Sequence, residues 1–242
     1  MYPVLGLHSL FFDGKMFDQL SQATGRTVLA PDHRGQGTRS AEEPGTVDEL
    51  AGDVVGLLDT LPAPVHLVGS SMGAYVAMIV AATKPERVRT CTLSAATADA
   101  EQRPEKFDGL VAQLRDKGPA AIVEQIGATM FGNWFLRQGD AARDYWLEHF
   151  ASLDTGVGTA AEKVFRRREL WAEVLSIRSP LLLLAGRQDT AKSPADMERI
   201  SERTGASAPI VFEKSGHTPF VEQPTEVADV LAKFWQHHEE RR

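Results

Sequence analysis

The stretch "VHLVGSSMGAYVAMIVAA", residues 65–82, decides how this chain is read. An apolar run stops at Gly69, passes two serines and a methionine, meets Gly73, and resumes in small apolar residues. "PVHLVG" (64–69) reads as a buried strand and "MGAYVAMIVAATKP" (72–85) as a helix. Between them Gly69-Ser70-Ser71-Met72-Gly73 is G-x-S-x-G in the strand–turn–helix setting that the motif requires. The turn is so tight that its central residue takes a strained backbone, and its neighbours two away on each side must lack bulk for strand and helix to pass. Ser71 is therefore the candidate nucleophile, with its oxygen at the strand's C-terminal end. The N–H of Met72 lies at a helix N-terminus, where partial positive charge can hold an oxyanion. An ordinary turn would also use small residues, and a phosphate loop would want more glycines and usually a lysine.

The pattern around this stretch repeats its alternation. "PVLGLH" (3–8), "TVLAPD" (27–32), "VRTCTLSAA" (88–96), "SPLLLLAG" (179–186) and "SAPIVFEK" (207–214) read as further buried strands. Helical patterns cover 15–24, 46–61, 193–205 and 225–239. The second opens with Thr46 and Glu49 in capping-box register, and the third carries Pro194 at a first helical position. Strands alternating with helices imply a mostly parallel sheet, and "LLLL" at 181–184 suits a strand covered on both faces. From 97 to 178 only helical patterns occur, and this segment holds three of the four tryptophans, Trp134, Trp146 and Trp171. It reads as a helical cap inserted into a core of residues 1–96 and 179–242. Its aromatics serve either its own packing or a pocket over the strand ends.

Composition bounds the function classes. The chain has 242 residues, 43% apolar and 24% charged, within the range of one globular domain. A net charge of −7 argues against a nucleic-acid surface. The "RRR" at 166–168 reads as a solvated helix face. No apolar run is long enough to span a membrane and the N-terminus lacks a signal-peptide pattern, so the expectation is a cytoplasmic protein with no membrane partner. Cys91 is the one cysteine and sits in an apolar run, as a buried inert thiol would. No histidine–carboxylate cluster has ligand spacing and no G-x-G-x-x-G opens a helix, so no metal or organic cofactor is expected.

With these elements in place the chain resembles the α/β-hydrolases over essentially its whole length. Beside the serine turn, "LHSLFFDGKMF" is similar to the family's first-strand loop and "PDHRGQGTRS" (31–40) to its D-x-R-G-x-G-x-S turn. "GRQDT" (186–190) is similar to the acid loop and "SGHTPFVEQP" (215–224) to the G-H-x-P-x-x-E-x-P histidine loop. The order Ser, Asp, His is the one this fold imposes. Within the family, "HSLFFDGKMF" and "MFGNWF" are nearest to the 3-oxoadipate enol-lactonase and small-ester branch, although His8 stands where those lactonases carry Asn.

The resemblance implies roles for particular residues. Of the seven histidines, only His217 follows the last strand in a loop that can reach Ser71, and it becomes the candidate base. His8 falls by the oxyanion loop, His33 in a turn, His66 in a strand, His149 in the cap, and His237 and His238 at the C-terminus. Asp189 is the candidate acid, with Asp99, after the preceding strand, in reserve. The backbone N–H of Leu10 joins that of Met72 as the oxyanion hole. Asp32 and Arg34 tie down their own turn, and Phe11 and Phe12 are either pocket wall or core. Arg137, Arg143 and Arg166–Arg168 either face solvent or pair with a substrate carboxylate. The implied activity is hydrolysis of a small or medium ester or lactone through an acyl-enzyme. A same-fold lyase or C–C bond hydrolase is one alternative, and a non-catalytic ligand-binding protein is another. Family members usually carry an antiparallel hairpin before the oxyanion strand, whereas this chain starts almost on it. The expectation is a sheet of six parallel strands with "TVLAPD" at an edge. That edge either invites pairing, leaving monomer or homodimer open, or is blunted by its shortness and Pro31.

Overall fold

The computed structural model describes residues 2–240. Its elements run β1 (Val4–Leu7), α1 (Asp18–Thr24), β2 (Val28–Leu29), α2 (Val47–Thr60), β3 (Val65–Ser70), α3 (Met72–Thr83) and β4 (Val88–Ser94). Six helices follow without a strand: α4 (Asp108–Lys117), α5 (Val123–Met130), α6 (Asn133–Gln138), α7 (Ala141–Ser152), α8 (Val157–Phe165) and α9 (Trp171–Ser176). The chain then returns through β5 (Leu181–Gly186), α10 (Pro194–Thr204), β6 (Ile210–Phe212), α11 (Pro219–Glu222) and α12 (Pro224–Glu240). All six strands are parallel, in the order β2-β1-β3-β4-β5-β6.

Local chemistry explains most boundaries. Thr46 caps α2 in a reciprocal capping box with Glu49, and Ser193 caps α10 in the same way with Asp196 ahead of Pro194. The helix expected over 15–24 divides in two. Asp13 caps a 3₁₀ turn over Gly14–Phe17, accepting the Lys15 N–H at 2.9 Å, and α1 follows. The strand expected over 27–32 pairs only at Val28 and Leu29, because Pro31 has no N–H to offer a ladder and Asp32 is drawn into the next turn. It lies at the sheet edge as expected.

The strand order reverses at β1: the chain steps to β2 on one side and crosses back to β3 on the other. Helices α1 and α12 pack together on one face. On the other face α2, α3, α9 and α10 pack in a row. Helix α3 is buried on nearly every side, from Met72 to Ala81, which is why its sequence is small and apolar throughout. The register sets Leu7 beside Gly69 and Ser70 beside Ser94. The segments after β1, β3 and β4 therefore leave the sheet side by side, at the switch point where ligands bind in such sheets.

Candidate active site

Ser71 sits between β3 and α3 with φ 51° and ψ −111°, a conformation that costs an L-residue energy and persists only where its surroundings enforce it. Two glycines do so. A Cβ on Gly69 would lie 2.7 Å from the Ala74 Cα, and one on Gly73 would run into the Leu7 carbonyl. Strand, helix and the neighbouring β1 thus cross at backbone contact, with the Ser71 N–H donating to Ser94 O at 2.9 Å. The hydroxyl is turned toward His217.

His217 reaches the serine from the loop after β6. Its Nε2 lies 2.8 Å from Ser71 Oγ and its Nδ1 2.8 Å from Asp189 Oδ2. Asp189 leaves the end of β5, and its other oxygen, Oδ1, accepts the N–H groups of Ala191 (2.8 Å) and Lys192 (2.9 Å). With its carboxylate satisfied on both oxygens, Asp189 holds the His217 proton on Nδ1 and leaves Nε2 as the acceptor facing Ser71. The acid and histidine loops touch at backbone level, since a Cβ on Gly186 would meet the Ser215 carbonyl at 2.6 Å. All three side chains are nearly buried. The reserve carboxylate is engaged elsewhere: Asp99 accepts the Trp171 indole N–H at 2.8 Å and pairs with Arg199 at 2.6 Å.

A model of the alpha/beta hydrolase family matches residues 4–230. The chain belongs to that family. It is similar to the pimeloyl-[acyl-carrier protein] methyl ester esterase of Aeromonas salmonicida, 27% identical over 186 residues that cover 72% of this chain and 71% of the relative. Among solved structures it superposes on a thermophilic esterase from Thermogutta terrifontis with a TM-score of 0.88 at 24% identity, covering 98% of this chain and 90% of the other. The enol-lactonase from Burkholderia xenovorans LB400 gives 0.86 at 21%, with 98% and 92% covered. At those identities the two structures show the shared hydrolase fold.

The loop after β1, expected to supply the Leu10 N–H, forms a turn from Ser9 to Phe12. The Phe12 N–H closes it onto Ser9 O at 3.2 Å, and Phe11 takes φ 73°. Two buried side chains anchor it. His8 donates from Nδ1 to Ser9 O (2.9 Å) and accepts the His33 N–H on Nε2 (3.0 Å), so it is held neutral, and burial pulls its pKa below the ordinary histidine value. Gln36 accepts the Phe11 N–H at 3.1 Å and directs its amide to Met72 Sδ at 3.6 Å. One side chain thus bridges the Leu10 turn and the first residue of α3. Gln36 occupies the variable place of the D-x-R-G-x-G stretch, and nothing in the sequence distinguishes it. Asp32 ties down that turn, accepting from Gly14 N (2.8 Å) and from Thr38 N and Oγ1 (both 2.7 Å), while Arg34 pairs with Asp53.

Glu222 was legible only as the glutamate of the histidine-loop motif. It accepts the N–H groups of Gly216 (2.9 Å), Thr218 (3.0 Å) and Gly132 (2.6 Å), so it fastens the His217 loop to the helical insertion. Burial pushes its carboxyl up to about 7 against the pull of these donors.

Between the strand ends and the insertion lies a cavity of about 590 Å³, reached by Leu10, Phe11, Ser71 and His217 from the core. That size suits a small-molecule site. From the insertion come Phe107, Leu110, Ile126, Met130 and Phe165. Phe11 is pocket wall, whereas Phe12 is fully buried against Phe131, Trp146 and Phe150. The tryptophans of the insertion do not line this cavity: Trp146 is core, Trp171 bonds Asp99 and stacks under Arg203, and Trp134 is part exposed. The reading of "RRR" as a solvated face holds for two of the three arginines only. Arg166 and Arg168 face out and pair with Asp108 and Asp48, whereas Arg167 is buried and lines the cavity. The middle side chain follows the turn that ends α8, and the inward step is invisible in a run of identical residues. Arg137 and Arg143 are held by Asn133 O and by Asp144.

Among the described residues no group of three or more His, Cys, Asp or Glu is placed to hold a metal ion. No helix there is long and apolar enough to cross a membrane. Cys91 is buried and its thiol is pushed up to about 12 by burial, which keeps it protonated and unreactive.

Proposed function

We propose that this alpha/beta hydrolase cleaves a small or medium carboxylic ester or lactone, with Ser71 as nucleophile, His217 as general base and acid, and Asp189 as the group that orients the imidazole. The observation that carries the reading is the unbroken hydrogen-bonded chain Ser71–His217–Asp189, with both links at 2.8 Å, on a strained strand-to-helix turn. The esterase and lactonase names of its relatives agree with it.

In this mechanism Ser71 Oγ bonds to the carbonyl carbon as its proton passes to His217 Nε2. The C=O electron pair moves onto oxygen, held by the N–H groups of Leu10 and Met72, each worth about 10²–10³ in rate for such a donor. The tetrahedral species collapses by breaking the bond to the alkoxide, which takes the proton from His217 and leaves an acyl-Ser71. Water then repeats the sequence in reverse roles, giving up one proton to His217 as it attacks and releasing the carboxylic acid and a free serine. The Asp189 carboxylate stabilises the imidazolium that forms in each half-reaction. Within residues 97–178, α4, α5 and α8 act as a cap whose inner face completes the substrate cavity, while α9 packs beside α3 and α10.

The test is turnover of short p-nitrophenyl esters by wild type and Ser71→Ala. The reading expects saturable hydrolysis by wild type that falls at least about 10³-fold in the variant. Equal rates for the two would overturn it.

A further inference from the structure

Arg167 is 9% exposed, yet no carboxylate among the described residues lies within ion-pair distance of it. Its guanidinium lies 3.9 Å over the ring of Tyr75, one helical turn beyond Ser71 on α3. Nη2 donates to Thr97 O at 3.3 Å, while Nε and Nη1 are buried without an acceptor. A guanidinium carries five N–H donors and stays charged in any protein setting, so this is a buried cation with no anion beside it. Removing such a charge from water is expensive unless an anion repays it. Arg115, Arg166 and Arg168 of the insertion, by contrast, pair with carboxylates on neighbouring elements, Glu162, Asp108 and Asp48.

The cavity that Arg167 lines also receives Lys106 and Lys192, against a single carboxylate, Glu101, which is paired to Lys106 at 2.9 Å. A chain of net charge −7 has thus gathered an excess of positive charge at one apolar-walled cavity, which Ser71 and His217 also line. Such a field inside low-dielectric walls concentrates anions and favours carboxylate over neutral groups.

Building on the acyl-transfer reading above, we propose that the substrate is an ester or lactone bearing a free carboxylate, and that Arg167 receives that carboxylate while Ser71 attacks the carbonyl. The shared chemistry is the anion, which can sit on the acyl side or on the alcohol side of the scissile bond.

The experiment compares kcat/KM for matched pairs: monoethyl adipate against ethyl hexanoate, with the charge on the acyl side, and 4-acetoxybutanoate against butyl acetate, with the charge on the alcohol side. At least one anionic member is expected to exceed its neutral match about tenfold or more, and the pair that does so identifies the side. In Arg167→Met the anionic-to-neutral ratio should collapse toward one, and Arg167→Lys should restore part of it. The ratio cancels any general loss from disturbed packing. Thermal shift with adipate supplies a readout independent of turnover: the dianion should raise the Tm of wild type and not of Arg167→Met. Neutral esters cleaved as well as anionic ones in both pairs would overturn the carboxylate proposal and leave the serine-hydrolase reading intact. No turnover of any ester, with adipate still stabilising wild type through Arg167, would instead remove the hydrolase reading and retain the anion site.

Discussion

Asp189→Asn offers the sharpest test of how the site is held. Oδ1 of Asp189 accepts two backbone N–H groups, from Ala191 at 2.8 Å and Lys192 at 2.9 Å, and Oδ2 faces His217 Nδ1 at 2.8 Å. An Asn has the same shape, and those two donors fix its carbonyl in the place of Oδ1. Its NH₂ must then point at His217 Nδ1, which is forced to accept. The ring proton moves to Nε2, facing Ser71 Oγ, where it can no longer take the serine's proton. Flipping the amide restores the working tautomer but sets an NH₂ against two backbone donors. At about 1–3 kcal/mol for each buried donor left unsatisfied, the flip costs ~2–6 kcal/mol. With 1.36 kcal/mol per factor of ten, that penalty alone slows the reaction about 30- to 10⁴-fold. Loss of the negative charge beside the imidazolium adds to it, so kcat should fall about 10³–10⁴-fold. The assay is p-nitrophenyl ester hydrolysis at neutral pH with Tm measured on the same samples. Because the backbone contacts survive, Tm should move by no more than about 4 °C. A variant that folds normally and keeps more than about a tenth of wild-type kcat would refute this account of the tautomer.

Two further perturbations probe the scaffold. A Cβ at position 73 would strike the Leu7 carbonyl and come within 2.8 Å of His8 O, so Gly73→Ala should cost about 1–3 kcal/mol and lower Tm by several degrees in calorimetry. An unchanged Tm would mean that β1 and α3 do not cross as closely as described. Glu222 titrates near 7 in the fold against a usual value of 4.5, so the folded chain holds this proton more tightly than the unfolded chain. Its contribution is most favourable below pH 4.5 and is lost as pH rises toward 7, by at most ~3 kcal/mol at about 1.4 kcal/mol per pH unit. Urea titrations at pH 5 and pH 8 should show wild type losing more stability than Glu222→Gln across that interval, and parallel behaviour would contradict the assignment.

How much of this was legible in the sequence depended on whether a local rule governed the feature. The serine turn was readable because close crossing leaves glycine no substitute at positions 69 and 73, and helix starts were readable where Thr46–Glu49 and Ser193–Pro194 cap their own backbone. Strand β2 is shorter than its apolar run because pairing ends at Leu29, and the run alone does not show how far ahead of Pro31 the ladder stops. The insertion was read as helical, but the fate of its aromatics was not, since Trp146 and Phe165 look alike in sequence while one packs into core and the other faces the cavity. Glu222 was visible as a motif position and Arg166–Arg168 as possible partners of a substrate carboxylate, but what Gln36, Glu222 and Arg167 each touch was not. Each acts across a sequence distance that only the fold closes, whether to Phe11, to Gly132 or to the cavity.

The most direct measurement of the central claim is the intact mass and peptide map of the protein after exposure to a fluorophosphonate, run on wild type and Ser71→Ala. The account predicts one adduct per chain, located on Ser71, and none in the variant. An adduct on another residue, or a wild type that stays unmodified while remaining folded, would contradict it.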